Sequence, residues 1–512
     1  MAMIHPHSGH AMQPVAGPHR EAAPGGNRIR RRPAWPNPTI WFFLLYLLLT
    51  WFISRDYLGM PLDHDVSQYF GSTDSFPRPL RYGNLVIFRM LISLFGVKAL
   101  PLRIYSLIIH WLMICVLHSV IHRATGCPFA AVPAGLSLSL WTRTAESFGY
   151  LTQSGQVLWI VLLGSALVLE LAWMERGSQW FILGVALTGM ASGLCWEHGP
   201  LAMGALMILP LADRRHRRRI RPFFPIVLGG LAVNLLVIAS FLPWLMIYVT
   251  SNLKLLSPVR YPRMAASIWD QLKATFLGEF LGVEHRSTPA MLVLIVLACV
   301  LLLIPAIRRR ASWQGVPGLL GVAGMIGAAG FISLLFRLPP NRTDWFILGN
   351  RHIFFMAPVF CLATGAMTAA ILPGLTMAMK NKRWAAILLL SIVPFAFLDR
   401  TPERTVYSIL GKLTTLHEET VQRIKESLPE LPRDAVVEIR ISHALADSDL
   451  NLLYSTDTIH LNVGARLGRP DLRFLLVQDY YVPASTETDL VLFEYNGHVY
   501  RSRVQFERAG WP

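Results

Sequence analysis

Charge is what this sequence has least of. Asp, Glu, Lys and Arg make up 15% of its 512 residues, against about 25% in an ordinary soluble chain. That deficit, with 53% hydrophobic residues and a mean hydropathy of +0.43, excludes a chain that is soluble throughout. Cysteine is scarce too. Cys115, Cys127, Cys195, Cys299 and Cys361 all lie in or at the ends of apolar segments, and the C-terminal region has none. No disulfide framework exists there and no metal-ligand spacing is present, so they read as small apolar residues. Several signatures are missing as well: a Gly-rich phosphate loop ending in Lys-Ser/Thr, a Gly-x-Ser-x-Gly elbow and a His-Glu-x-x-His pair. Nucleotide-driven chemistry therefore has no support. Residues 1–38 lack the apolar core of a cleavable signal. Rich in His, Pro, Gly and Arg, they predict a disordered, basic cytoplasmic tail.

Apolar runs near the spanning length of about 20 residues are plentiful. They cover 39–55, 101–122, 128–141, 155–174, 179–196, 199–212, 223–248, 289–307, 316–336, 352–372 and 384–398. The expected fold is mainly α: a polytopic membrane protein with about 11 transmembrane helices over residues 39–398. The stretch 82–96 is short and contains Arg89. It predicts a helix lying at the interface, as does 262–283 with Asp270, Lys273 and Glu279.

The net charge of +16 would suit nucleic acid, but its distribution suits a membrane. Arg28 and Arg30 to Arg32 precede the first run, Arg214 to Arg219 follow the sixth, Arg308 to Arg310 follow the eighth, and Lys380 to Arg383 follow the tenth. With eleven spans all four clusters fall on one side, which the positive-inside rule makes cytoplasmic. No nucleic-acid partner is expected. The expected location is the bacterial inner membrane, with the N-terminus inside.

After residue 398 the pattern changes. Residues 402–428 predict an amphipathic helix ended by Pro429 and Pro432. Short alternating runs follow at 436–442, 458–463, 473–477 and 489–495, the last leading through Asn496-Gly497 into 498–504. Asn-Gly between alternating runs is a hairpin signal. Residues 399–512 thus predict a small α+β domain on the external, periplasmic side.

Four constellations share that external side. Asp63-His64-Asp65 follows the first span, in a loop that also holds Arg78 and Arg81. Two carboxylates at i and i+2 can share a divalent cation such as Mg or Mn, or one can serve as a general base. An arginine beside them can pair with phosphate. Glu197-His198 forms a turn between two apolar runs. Arg351-His352 opens a late run, offering a rigid guanidinium fork and an imidazole. Glu146, near Arg143, lies in the loop 142–154; alone it reads more readily as a solvated charge.

This pattern resembles the type-C superfamily of polytopic membrane glycosyltransferases, in particular its bacterial, O-mannosyltransferase-like members. The resemblance rests on acids in the first external loop (Asp63, Asp65) and on Phe76-Pro77-Arg78-Pro79-Leu80 followed by Leu94-Phe95-Gly96, Arg103 and His110. It rests also on Trp196-Glu197-His198, on Arg351-His352 and on the trailing external domain. Here His64 separates the two acids, Trp196 stands where relatives often carry lysine, and His352 stands for the usual tyrosine.

The resemblance implies transfer of a sugar from a polyprenyl-phosphate donor to a glycan, lipid or protein acceptor. Asp63 or Asp65 would act as base. Arg351 and His352, with Arg78 or Arg81, would hold the donor phosphate. His64, Glu197, His198 and Glu146 would line the pocket. The alternatives are a transporter or flippase of a lipid-linked or polar substrate, and another external envelope transferase: a ligase, a polymerase, or a phosphoethanolamine or acyl transferase.

Overall fold

The computed structural model describes residues 38–59, 82–140 apart from 97, 154–195, 203–212, 221, 223–240, 315–337, 356–378, 387, 401–442, 459–478 apart from 470, 486–495 and 498–501. The chain is predominantly helical, with one small sheet near its C-terminus. The bundle contains α1 (Pro38–Ser54), α2 (Tyr82–Phe95), α3 (Ala99–Thr125), α4 (Ala131–Leu140), α5 (Ser154–Arg176) and α6 (Gln179–Cys195). It continues with α7 (Ala205–Ala212), α8 (Phe223–Ser240), α9 (Val316–Arg337) and α10 (Met356–Ala378). Among the described residues, four helices are long and apolar enough to cross a bilayer: Thr39–Tyr57, Ala99–Thr125, Ser154–Arg176 and Met356–Pro373. These make the chain a membrane protein by length and composition.

Sequence explains several of these boundaries. Helix α3 stops at Gly126, whose φ of 66° suits a residue without Cβ. Helix α2 has 14 residues, about 21 Å at 1.5 Å per residue, too short for a hydrocarbon core of about 30 Å. It buries Asn84 and Phe88 and leaves Val86, Met90 and Leu94 exposed. The run 199–212 is helical only from Ala205 among its described residues, after a turn at Met203-Gly204. The intervals 241–314 and 388–400, which include the expected spans 289–307 and most of 384–398 and the expected helix 262–283, lie outside the described residues.

Helices α3 and α5 run parallel, since Val116 lies against Gly164 while Arg123 reaches Glu175. Helix α6 runs back along α5: Ser192 donates to the Trp159 carbonyl, and Gly184 lies against Leu169. One continuous apolar core joins α1, α3–α10 and the turn Pro128–Ala130.

The C-terminal unit pairs α11 (Thr401–Ser427) with β1 (Val436–Arg440), β2 (Arg473–Val477), β3 (Leu490–Tyr495) and β4 (His498–Tyr500). The strand order is β2-β1-β3-β4. Strand β1 pairs parallel with β2 and β3, and β3 pairs antiparallel with β4, Tyr495 facing His498. That register closes a two-residue hairpin across 496–497. Leu413, Leu416, Val421 and Ile424 of α11 share a core with Val437, Ile439 and Leu492, the helix spacing that puts one stripe on a sheet. Side chains of α11 also tie the edge strand: Glu419 accepts from the Val499 amide at 2.6 Å, and Arg423 donates to its carbonyl at 3.0 Å.

One expected strand is a helix. The run 458–463 forms a helical turn, His460–Gly464, continued by Ala465–Leu467. Ile459 and Val463 are both fully buried; at i and i+4 a helix brings them to one face. The same core includes Tyr57 just after α1 and Leu107 of α3, so the C-terminal unit packs on the end of the bundle where α1 finishes and α3 begins.

Candidate functional site

Contacts between the helices sort their ends into two sets. At one end Phe42 meets Phe129 with ring centres 6.5 Å apart, Arg123 donates to Glu175 at 2.9 Å, and Trp173 meets Phe223 at 5.0 Å. Gly315 lies against Ala124, and Gly318 against Leu209 and Ala212. The start of α1, the ends of α3, α5 and α7, and the starts of α8 and α9 therefore gather there. Helix α10 runs toward the same end, from Val359 beside Gly327 to Gly365 beside Ile121. Every one of these ends flanks a basic cluster or a short turn.

The opposite end gathers a different set. Gly83 at the start of α2 lies against Cys195, the last residue of α6. Ser154, the first residue of α5, donates its hydroxyl to Asn84 Oδ1 at 3.0 Å. Tyr57 and Leu107 meet the C-terminal unit at this end, and α10 begins on this side. These ends flank the intervals 60–81, 141–153, 196–202 and 338–355.

All ten residues singled out by the sequence fall inside those intervals. Asp63, His64, Asp65, Arg78, Arg81, Glu146, Glu197, His198, Arg351 and His352 lie outside the described residues. What the structure brings together is their described flanks: those of all four intervals lie at one end of the bundle.

Beneath that end lies a buried polar layer. Helix α3 places Arg103, Ser106 and His110 at i, i+3 and i+7, on one face, with exposures of 2%, 0% and 1%. His110 Nδ1–H donates to the Ser106 carbonyl at 2.7 Å. Asn84 and Ser154 are fully buried, and Gln156 nearly so. A guanidinium held from water costs several kcal/mol unless paired, so an arginine buried in an apolar bundle needs polar partners there. Arg103 and His110 belong to the run on which the resemblance rests. Asn84, Ser154 and Gln156 were not singled out. Their signal was a small polar residue in the first turn after a loop, which many ordinary helices share.

Among the described residues no group of three or more His, Cys, Asp or Glu side chains is gathered to hold a metal ion. Asp63 and Asp65, which could share a divalent cation or supply a base, lie outside those residues.

A second polar region lies toward the other end. Tyr46 and His118 share a hydrogen bond of 3.0 Å in the core, and both carboxylate oxygens of Glu170 are buried without a hydrogen-bond partner among the described residues.

The C-terminal unit has its own buried charges. Arg440 reaches Glu438 at 2.7 Å, Thr488 donates to the same carboxylate at 3.0 Å, and Ser442 donates its amide and hydroxyl to Glu494 at 3.0 and 2.9 Å. These groups satisfy one another and read as a structural network. Burial pushes His417 of α11 down to about 3, with Arg466 adding to the effect.

The chain matches no protein-family model and no curated protein. Fold and composition define its class: a helical membrane protein carrying a small α+β unit at one end of the bundle.

Proposed function

We propose that the protein is a polytopic membrane glycosyltransferase of the type-C kind, with about eleven spans, that takes sugar from a polyprenyl-phosphate donor. The observation that carries this reading is the segregation of helix ends. The flanks of the four basic clusters lie at one end of the bundle, and the flanks of the four candidate loops lie at the other. The positive-inside rule makes the first end cytoplasmic, so the loops and the C-terminal unit face outward.

Gly83 and Cys195, each two residues in sequence from a candidate site residue (Arg81 and Glu197), lie against one another, which supports a shared cleft.

In this cleft Asp63 or Asp65 takes the proton of an acceptor hydroxyl as its oxygen attacks the anomeric carbon. The bond from that carbon to the phosphate oxygen breaks, and polyprenyl phosphate departs with the electron pair. Polyprenyl phosphate is already a good leaving group, so positioning and neutralisation are the main demands. Arg351 and His352, with Arg78 or Arg81, meet the phosphate, and His64, Glu197, His198 and Glu146 line the sugar pocket.

A transporter is the rival of another class. Transporters place polar sites near mid-membrane, often between paired repeats; Tyr46, His118 and Glu170 are the groups that would serve one. The deciding experiment incubates purified protein in vesicles with radiolabelled polyprenyl-phosphate sugar and a membrane extract as acceptor source. Label transfer to acceptor supports the proposal. Label crossing the bilayer with its phosphate bond intact assigns a flippase instead, and neither outcome removes both.

A further inference from the structure

We propose that helix α2 and the turn after it form a site for anionic phospholipid, at the bilayer surface on the end of the bundle that carries the C-terminal unit. Helix α2 begins against the last residue of α6 and the first residue of α5. Gly96, with its φ of 73°, turns the chain out of α2 and almost directly into α3, the Lys98 amide donating to the Gly96 carbonyl at 2.9 Å. Both ends of α2 therefore lie at that end of the bundle.

At about 3.6 residues per turn, the circumference of α2 divides into three sectors. The first packs on protein: Asn84 and Phe88 are buried, Ile87 joins the main core, and Leu91 and Ile92 surround the Phe88–Leu102 contact. The second is apolar yet uncovered, with Val86, Met90 and Leu94 exposed by 61%, 52% and 67%. The third holds Arg89 and Ser93, at i and i+4 on one polar flank, both exposed. Apolar side chains outside the protein contact are stabilised by acyl chains, and the polar flank beside them then meets headgroups. Helix α3 extends the apolar surface with Leu100, Ile104 and Ile108, an exposed row at i, i+4 and i+8.

Charge selects the lipid. Arg89 and Lys98 are both exposed, and neither pairs with an acid among the described residues. The sequence has no Asp or Glu from Ser75 to Ala145. A zwitterionic headgroup carries its own cation beside the phosphate, whereas an anionic one leaves its charge for the protein. Each Lys or Arg at a membrane surface favours anionic lipid by about fivefold. A free phosphate would satisfy the cations but leave Val86, Met90 and Leu94 uncovered.

The test uses the full-length protein in phosphatidylcholine vesicles, with its five native cysteines replaced and a bimane fluorophore attached at Ser93→Cys. A small, fixed share of the lipid is brominated phosphatidylglycerol in one sample and brominated phosphatidylcholine in another. Bromine quenches at short range, so the ratio of the two reads which lipid lies against α2. Phosphatidylglycerol should be enriched about tenfold or more, Arg89→Gln or Lys98→Gln should each lower that preference by about fivefold, and the double variant should approach parity. Arg89→Lys should keep it, and added salt should weaken it. Both cations are exposed, so these variants leave the packed sector of α2 intact. Equal quenching by the two lipids, or a preference that survives in the double variant, overturns the site. So does an absence of quenching by either lipid, which would remove α2 from the bilayer surface. Inorganic phosphate at matched ionic strength should leave the ratio unchanged; if it abolishes the preference, the cations bind phosphate alone and the lipid site is wrong. None of these outcomes depends on sugar transfer.

Discussion

Removing Glu438 should unfold the C-terminal unit more readily than any surface change. Glu438 and Arg440 sit two residues apart on β1, with side-chain exposures of 3% and 6%. The guanidinium donates through Nε at 2.8 Å and approaches through Nη2 at 2.7 Å, and it lies over the Phe493 ring at 5.8 Å. Glu438→Ala leaves that cation covered without its carboxylate. Breaking a buried pair in this way costs about 3–5 kcal/mol, a large share of the roughly 5–15 kcal/mol that holds a domain together. Replacing both partners is different, because no charge is left behind. Glu438→Leu with Arg440→Met should fall within about 1 kcal/mol of wild type or be more stable. Pulse proteolysis of the full chain in detergent across a urea series, following fragments of residues 399–512, reads both numbers. Wild-type stability in Glu438→Ala, or equal loss in the double variant, would refute the reasoning.

Three further outcomes are expected. His417 has its folded pKa lowered to about 3, so it is neutral when folded and takes up a proton when unfolded. Its contribution is complete above the unfolded value of about 6.5 and is lost progressively as pH falls toward 3, about 3 kcal/mol of it by pH 4.5. His417→Leu should flatten that part of the pH–stability curve; an unchanged slope in the same proteolysis assay would contradict it. Tyr46→Phe removes the hydroxyl bonded to His118 in the core and should cost about 1–3 kcal/mol, read by unfolding in mixed micelles, with an effect below about 0.5 kcal/mol counting against the contact. In a cysteine-free background, Ser178→Cys beside Arg176 should label only from the cytoplasmic side and Glu418→Cys of α11 only from outside; labelling of both from one side would reverse the proposed orientation.

Features that are local in sequence were legible there. The apolar stripe of 402–428 and Pro429 predicted α11 to within a residue, because i, i+3, i+4 spacing and a proline stop act within a few turns. Asn496-Gly497 predicted the β3–β4 hairpin for the same reason. The run 458–463 misled, since six alternating residues do not determine which of two periods wins; the shared burial of Ile459 and Val463 decided for a helix. The run at 436–442 is a strand over Val436–Arg440 as expected, and all five of its residues are buried, because strands pair with it on both sides and the pairing of Glu438 with Arg440 lets charges go inside. The candidate site was legible only as loops expected on one side, and their described flanks do lie at one end of the bundle. That Asn84 meets Ser154, and Gly83 meets Cys195, depends on helices separated by 70 and 112 positions, and neither residue type announces such a contact.

The most direct test of the central claim measures sugar transfer in right-side-out vesicles supplied externally with radiolabelled polyprenyl-phosphate sugar, comparing wild type with Asp63→Asn and Asp65→Asn at equal protein abundance. The account predicts transfer by wild type and its abolition in at least one of the two variants, with polyprenyl phosphate no longer released. Wild-type transfer in both variants would contradict it.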